Sequence, residues 1–213
     1  MDLRLQKVVP VPLRDWNLSQ SGVWNQEVLL ECGKSYLVTS PSGKGKSTLL
    51  NLLYGIRRDF DGEVVAGNRK WSHLKRNQWA TLRQTEISMV FQGLRLLPQL
   101  SGWENLRLKS RLPLHVTESR MREMVELLGI VDLMGKKCAF WSYGQRQRLA
   151  IIRALLQPFH WLLLDEPFSH LDRDNIALAA QLIQDECQQR NAGVLIASLG
   201  DDYELKLDAQ LAL

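Results

Sequence analysis

The chain has 213 residues, with 27 Lys and Arg against 23 Asp and Glu, a formal net charge of +4 and 45% hydrophobic content. That length supports one sizeable domain with a small inserted subdomain but not two large domains, and the composition excludes a disordered, collagenous or low-complexity chain. The slight basic excess gives no reason to expect a nucleic-acid partner, and no apolar run reaches the roughly 18 to 20 residues that a membrane-spanning helix needs.

Asp2, Arg4, Lys7 and two prolines interrupt the N-terminal segment where a secretion signal needs an apolar run. Residues 35–39, Ser-Tyr-Leu-Val-Thr, read as a short buried strand. A Ser-Pro-Ser-Gly-Lys-Gly turn follows, then a helix over residues 46–54 with leucines at 49, 50, 52 and 53, closed by Gly55. Residues 61–92 combine turn signals at Asp61-Gly62 and Gly67-Asn68 with β-rich pieces at 63–65 and 87–91, so a few strands around a polar, basic connection are expected.

Thr117 is an N-cap candidate for a helix carrying Met121, Met124, Val125 and Leu128 before Gly129, and residues 94–140 as a whole read as a helical insertion. A further helix from Gln145 buries Leu149, Ile152 and Leu156 and stops at Pro158. Residues 161–164, Trp-Leu-Leu-Leu, have the unbroken apolar character of a strand covered on both faces. A helix over about 174–190 and a strand over 194–197 complete an α/β alternation. Cys32, Cys138 and Cys187 are scattered and form no C-x-x-C pair, which fits a reducing compartment without disulfides or zinc.

Two clusters carry chemistry. Ser40-Pro41-Ser42-Gly43-Lys44-Gly45-Lys46-Ser47-Thr48 matches the phosphate-binding pattern G-x-x-x-x-G-K-[ST], with Ser40 in place of the first Gly. Backbone N–H groups of such a loop at a helix N-terminus cradle phosphates, Lys46 reaches the terminal ones, and the Ser47 hydroxyl serves Mg²⁺. Ser40 would be strained by about 1 to 2 kcal/mol only if its position demands a positive φ. Downstream, the apolar strand ends in Asp165 and Glu166. Asp165 suits the Mg²⁺ shell and Glu166 the attacking water, and adjacent strand residues point to different faces, so the two are not redundant.

With these two clusters, three more segments fall in a known order. Val90-Phe91-Gln92 resembles a Q-loop, Trp141-Ser142-Tyr143-Gly144-Gln145 the L-S-G-G-Q signature, and Ser169-His170-Leu171-Asp172 a D-loop. The chain thereby resembles, over nearly its whole length, the ATP-binding cassette (ABC) ATPases that drive membrane transporters. On residues 92–98 and Glu104-Asn105-Leu106 it is similar to bacterial cassettes of the lipoprotein-release and macrolide-export group.

The resemblance implies a P-loop NTPase with a RecA-like core over residues 1–93 and 141–213, an antiparallel β piece and the helical subdomain 94–140, all in one domain. It implies ATP and Mg²⁺ as ligands, with Lys46, Gln92 and Glu166 catalytic and Ser47, Gln92 and Asp165 around the metal. It also implies a homodimer in which each ATP lies between residues 40–48 of one subunit and Ser142, Gly144, Gln145 and Asp172 of the other. An aromatic stacks on adenine; Trp16 is the candidate and Trp24 its competitor. The insertion and the Q-loop groove would receive an integral membrane permease subunit, placing the chain in the cytoplasm, peripheral on the inner face of the cell membrane.

One departure bears on turnover. Where relatives carry a γ-phosphate-contacting histidine after the strand at 194–197, this chain has Leu199, and its last histidine is His170. A leucine donates no hydrogen bond, so a transition-state contact worth about 2 to 4 kcal/mol is missing unless Ser198 or a partner group supplies it. Two functions are therefore expected: a transport-coupled ATPase, slow for want of that histidine, or a hydrolysis-deficient ATP-binding pseudo-enzyme that regulates or assembles a membrane complex. Retention of Lys46, Asp165 and Glu166 favours the first.

Overall fold

A computed structural model describes residues 1–41, 43–109, 116–198 and 205–213. The first strand, β1 (Leu3–Pro10), buries Leu3, Leu5, Val8 and Pro10 and exposes Arg4, Gln6 and Lys7, the covered face of an antiparallel sheet interrupted by a register shift after Gln6. It pairs with β2 (Glu27–Leu30) on one side and β4 (Phe60–Ala66) on the other, and β4 turns back into β5 (Arg69–Lys70). The expected antiparallel piece is thus a sheet of order β2-β1-β4-β5.

The second sheet is parallel and runs β6-β7-β8-β3-β9. Its members are β3 (Ser35–Thr39), β6 (Ile87–Val90), β7 (Trp161–Asp165), β8 (Gly193–Ser198) and β9 (Ala209–Ala212). Every residue of β7 and β8 is buried, which is why their sequences lack the alternation seen in β1. Alternation persists in direction: Leu162 and Leu164 point into one core with the 102–155 helices, while Trp161 and Leu163 point into another with the phosphate-loop helix and β1. Truncating any of these to Ala costs about 2 to 5 kcal/mol.

Five of the helices cover that sheet and its edges: α1 (Lys46–Leu53), α2 (Arg76–Thr85), α4 (Glu118–Leu127), α5 (Tyr143–Leu155) and α6 (Arg173–Arg190). The short α3 (Gly102–Arg107) opens with a reciprocal cap, Ser101 Oγ accepting from Glu104 N and Glu104 Oε2 from Ser101 N. Between positions 94 and 140 the described elements are α3, α4 and short 3₁₀ turns, tied by a bridge between Ser101 and Lys137. Residues 110–115 lie outside the described residues.

The expectation of strands alone around a polar link at 61–92 is corrected by α2. That helix buries only Trp79 and Leu82 in a charged sequence, too narrow an apolar stripe to betray its period. Tertiary contact holds it: Trp79 packs edge-on against Trp71 at 5.1 Å. Helix α5 begins two residues before the expected Gln145, because Ser142 is its cap.

Candidate functional site

The ends of β3 and β7 converge on one place. Beyond Thr39 the chain turns through residues 40–45, with Ser42 outside the described residues, into α1. Gly45 caps α1 in the left-handed region at φ 102 and brings no side chain to the cap, so among the described residues the first N–H groups of the helix are left for an anion. A Cβ on Gly45 would lie 3.3 Å from both Leu13 Cδ1 and Trp24 Nε1. Lys46 is buried, and its Nζ donates to the carbonyls of Ser40 (2.6 Å) and Pro41 (3.4 Å), which keeps the ammonium inside the loop. Gly43 and Lys44 are exposed beside it, and Thr48 is half-buried in the first turn of α1.

Ser40 is not among the non-glycine residues with positive φ, so replacing the first Gly of the pattern carries no backbone strain. Its hydroxyl donates to Pro41 O at 3.0 Å.

Ser47 Oγ donates to Asp165 Oδ1 at 3.0 Å. Burial raises the Asp165 pKa above its ordinary value; the Ser47 hydrogen bond and the Lys46 charge oppose this, and the neighbouring Glu166 charge adds to it. A hydroxyl and a desolvated carboxylate, both hard oxygen donors, fit a small divalent cation of the Mg²⁺ type.

Glu166 leaves the strand with φ 48, a conformation that costs a non-glycine residue about 1 to 3 kcal/mol and that persists only where neighbours enforce it. Its carboxylate Oε2 accepts from Gln92 Nε2 at 3.3 Å. The two carboxylates face different partners, Asp165 the phosphate loop and Glu166 the segment after β6; Glu166 lies past the end of β7, so its left-handed turn rather than strand alternation aims it. Ser47, Asp165, Glu166 and Gln92 are thus joined, with Lys46 beside Ser47 in the loop.

Trp16 is 43% exposed, and Lys44 Nζ sits 5.1 Å from its ring centroid, so an aromatic face stands at the rim of the phosphate loop. Trp24, at 1%, is part of the core and has no face to offer a ligand. Of the two tryptophans, Trp16 is the accessible ring.

The signature-like segment forms a second, separate group. Ser142 Oγ accepts from Gln145 N and Gln145 Oε1 from Ser142 N, a reciprocal cap on α5. Trp141 is buried and fills an apolar position. Gly144 is required by packing, since a Cβ there would lie 2.6 Å from His170 O. The Tyr143 hydroxyl donates to Gln92 O, and its ring lies 4.2 Å from that of His170. Asp172 caps α6 through Asn175, whose hydrogen bonds hold its carboxyl below the ordinary value. Ser142, Gly144, Gln145 and Asp172 border one open pocket of about 350 Å³.

Among the described residues, no hydrogen bond joins the phosphate loop to Ser142, Gly144 or Gln145. Leu199 lies outside the described residues. Sequence reasoning missed Gln147 and Arg153, both on α5. Gln147 is fully buried, and Arg153 donates to the carbonyls of Leu94 (2.6 Å) and Arg95 (2.7 Å), two residues at φ 55 and 48 just after Gln92. Their only signal was a polar side chain in the inward rows of an amphipathic helix.

Residues 25–169 match the ABC transporter family. The lipoprotein-releasing system ATP-binding protein LolD of Legionella pneumophila (strain Lens) is 31% identical over 184 residues, covering 85% of this chain and 81% of the relative. The trehalose/maltose import ATP-binding protein MalK of Thermococcus litoralis is 32% identical over 143 residues, covering 66% of this chain but 38% of the relative. Among solved structures, the dimeric ABC cassette MJ0796 superposes with a TM-score of 0.80 at 24% identity, covering 94% of this chain and 89% of the other. The same cassette in a post-hydrolysis dimer bound to ADP and Pi gives 0.78 at 25% identity, with the same coverage.

Proposed function

Because this chain belongs to the ABC transporter family, as one of its ATP-binding cassettes, we propose that the group built around Lys46 and Glu166 binds and hydrolyses ATP on behalf of a membrane-embedded partner. The observation that carries this is the pair of hydrogen bonds Ser47–Asp165 and Gln92–Glu166, joined through adjacent Asp165 and Glu166, with Lys46 held inside the loop beside Ser47 and the half-exposed Trp16 ring at the rim. The uncapped turn of α1 takes the phosphates, and Lys46, already desolvated, exchanges its carbonyl partners for phosphate oxygens. Ser47 and Asp165 would hold Mg²⁺, which would supply positive charge against the transferred phosphoryl group. Glu166 orients the attacking water, and Gln92 keeps its carboxylate in place. Trp16 stacks on the adenine ring.

The protein works as a dimer. Ser142, Gly144 and Gln145, at the N-terminal end of α5, with Asp172 alongside, face the nucleotide of the second copy, where the helix dipole favours a phosphate. The helical segment 94–140 and the groove after Gln92 receive the permease. Leu97 and Phe140, 49% and 82% exposed, offer apolar surface there. The likeness to LolD supports the lipoprotein-release class, and a permease-bound cassette of that kind sits peripherally on the inner face of the cell membrane.

Retention of Lys46, Ser47, Asp165, Glu166 and Gln92 supports the hydrolytic reading over the pseudo-enzyme, even with Leu199 in place of a histidine. Mg²⁺-dependent phosphate release by the dimer with its membrane partner tests it. Turnover in the wild type and none in Glu166→Gln is expected; equal release by the two defeats the ATPase. Lys46→Ala is expected to lose ATP binding, which Glu166→Gln retains.

A further inference from the structure

Gln147, 1% exposed, is the polar member of the fully covered residues of α5. A buried amide is stable only if both its ends are paired, and Gln147 finds both partners on one short turn. Its Nε2 donates to Glu166 O at 3.0 Å, and its Oε1 accepts from His170 N at 3.2 Å. That turn begins at the left-handed Glu166, whose N–H is fixed to Ala197 O at 3.0 Å. The side chain therefore spans the loop whose first residue holds an unfavourable backbone conformation.

The rest of the first turn of α5 presses on the same place. Gly144 abuts the His170 carbonyl so closely that no Cβ fits, and the Tyr143 ring lies against the His170 ring. The Tyr143 hydroxyl meanwhile holds Gln92 O, the backbone behind the side chain that contacts Glu166.

We infer that Gln147 is a positioning residue for Glu166, fixing the 166–170 turn so that the carboxylate stays in reach of Gln92. Gln147 stands two residues after Gln145, on the helix whose capped end faces the other copy's nucleotide in the proposed dimer. A shift of α5 is thereby passed to the carboxylate of its own subunit. This rests on the reading of Glu166 as the water-orienting group.

Gln147→Met keeps the length and loses both hydrogen bonds. Its kcat is expected to fall about tenfold while ATP affinity stays within about twofold, the mark of an interaction acting on the chemical step alone. Gln147→Glu keeps the acceptor for His170 N and regains a donor toward Glu166 O only when protonated. Its kcat should therefore recover as pH falls from about 8 to 6, relative to a Met variant that shows no such recovery. A kcat for Gln147→Met within twofold of wild type, or kcat and affinity falling together, overturns the inference. If Gln147→Met does not fold, the pH profile of Gln147→Glu decides, a profile parallel to wild type counting against the role.

Amide exchange over residues 166–170 needs no turnover. In Gln147→Met the His170 amide should exchange about tenfold faster in the nucleotide-free protein. Unchanged exchange overturns the inference even if the wild type hydrolyses ATP. A wild type without turnover defeats the ATPase reading separately, and exchange then decides the clamp.

Discussion

Ser47 and Asp165, 118 positions apart in sequence, are joined by a 3.0 Å hydrogen bond from Oγ to Oδ1, which ties the phosphate loop to the carboxylate strand. Burial raises the Asp165 pKa, so its ionised form opposes folding. That opposition is absent below the unfolded carboxyl's pKa and complete above the folded one. Asp165→Asn keeps an acceptor for Ser47 and removes the buried charge. The nucleotide-free variant should melt about 2 to 4 °C higher at neutral pH, which about 1 kcal/mol produces in a chain of this size. The gain should vanish in acid, and the extra stabilisation that Mg²⁺-ATP gives the wild type should be lost. A thermal melt with and without Mg²⁺-ATP reads both, and a lower neutral-pH midpoint contradicts the sign.

Trp16 and Trp24 separate binding from folding. Trp16→Ala removes an exposed ring at the loop rim and should weaken ATP binding about tenfold, an effect of about 1.4 kcal/mol, with little change in stability. Trp24→Ala empties a core position and should cost about 3 to 5 kcal/mol of stability. Nucleotide titration and chemical denaturation of both variants test the pair. Equal ATP affinity in Trp16→Ala and wild type removes it from the site.

What the sequence disclosed, and what it withheld, follows from the range of the interactions. The phosphate loop, the carboxylate pair and the buried strands were legible because a short run of residues determines each: a Gly-Lys-Ser turn, an apolar run ending in Asp-Glu. Helix α2 was not, because Trp79 is held by Trp71 and by Gly55, where a Cβ would lie 2.2 Å from the indole, rather than by a broad apolar stripe. Strand β1 alternates only up to Gln6, where its register with β4 shifts, and its neighbours β2 and β4 lie some 20 and 60 residues on, at which distance pairing leaves no local mark. Ser142 and Gln145 could be read as a cap or as a phosphate contact, and their geometry is a cap that leaves the helix end facing outward. The grip of Gln147 on Glu166 depends on a turn 19 residues away and was invisible.

Lys109 gives a pH-dependent test of the packing between the 94–140 segment and the core. Burial pushes its ammonium down from 10.5 to about 8, the nearby Arg153 charge adding to the effect, while Nζ contacts Gln157 Oε1. A lysine whose folded pKa is lowered favours folding fully above its unfolded pKa and loses that contribution as pH falls through the folded one. Below about pH 8, then, the wild type carries the whole cost of a buried charge, at most about 3 kcal/mol. Lys109→Met should be the more stable protein at pH 7 by about 1 to 3 kcal/mol, and its advantage should shrink between pH 8 and 10.5. Urea denaturation at pH 7 and pH 10 measures this; a pH-independent difference would place the ammonium in water.

Ser40→Gly restores the first glycine of the phosphate-binding pattern, and pattern alone argues that binding should tighten. The backbone argues otherwise. Ser40 does not occupy the positive-φ region, its hydroxyl donates to Pro41 O, and its carbonyl, which any residue would supply, holds Lys46 at 2.6 Å. Glycine at that position adds only freedom in the unfolded chain and removes one hydrogen bond, so Ser40→Gly should be less stable by about 0.5 to 1 kcal/mol. ATP affinity should stay within about twofold, because the loop amides and Lys46 keep their places. Nucleotide titration beside a denaturation curve measures both quantities. Binding tightened tenfold or more would show that the serine holds the loop away from its phosphate-bound shape.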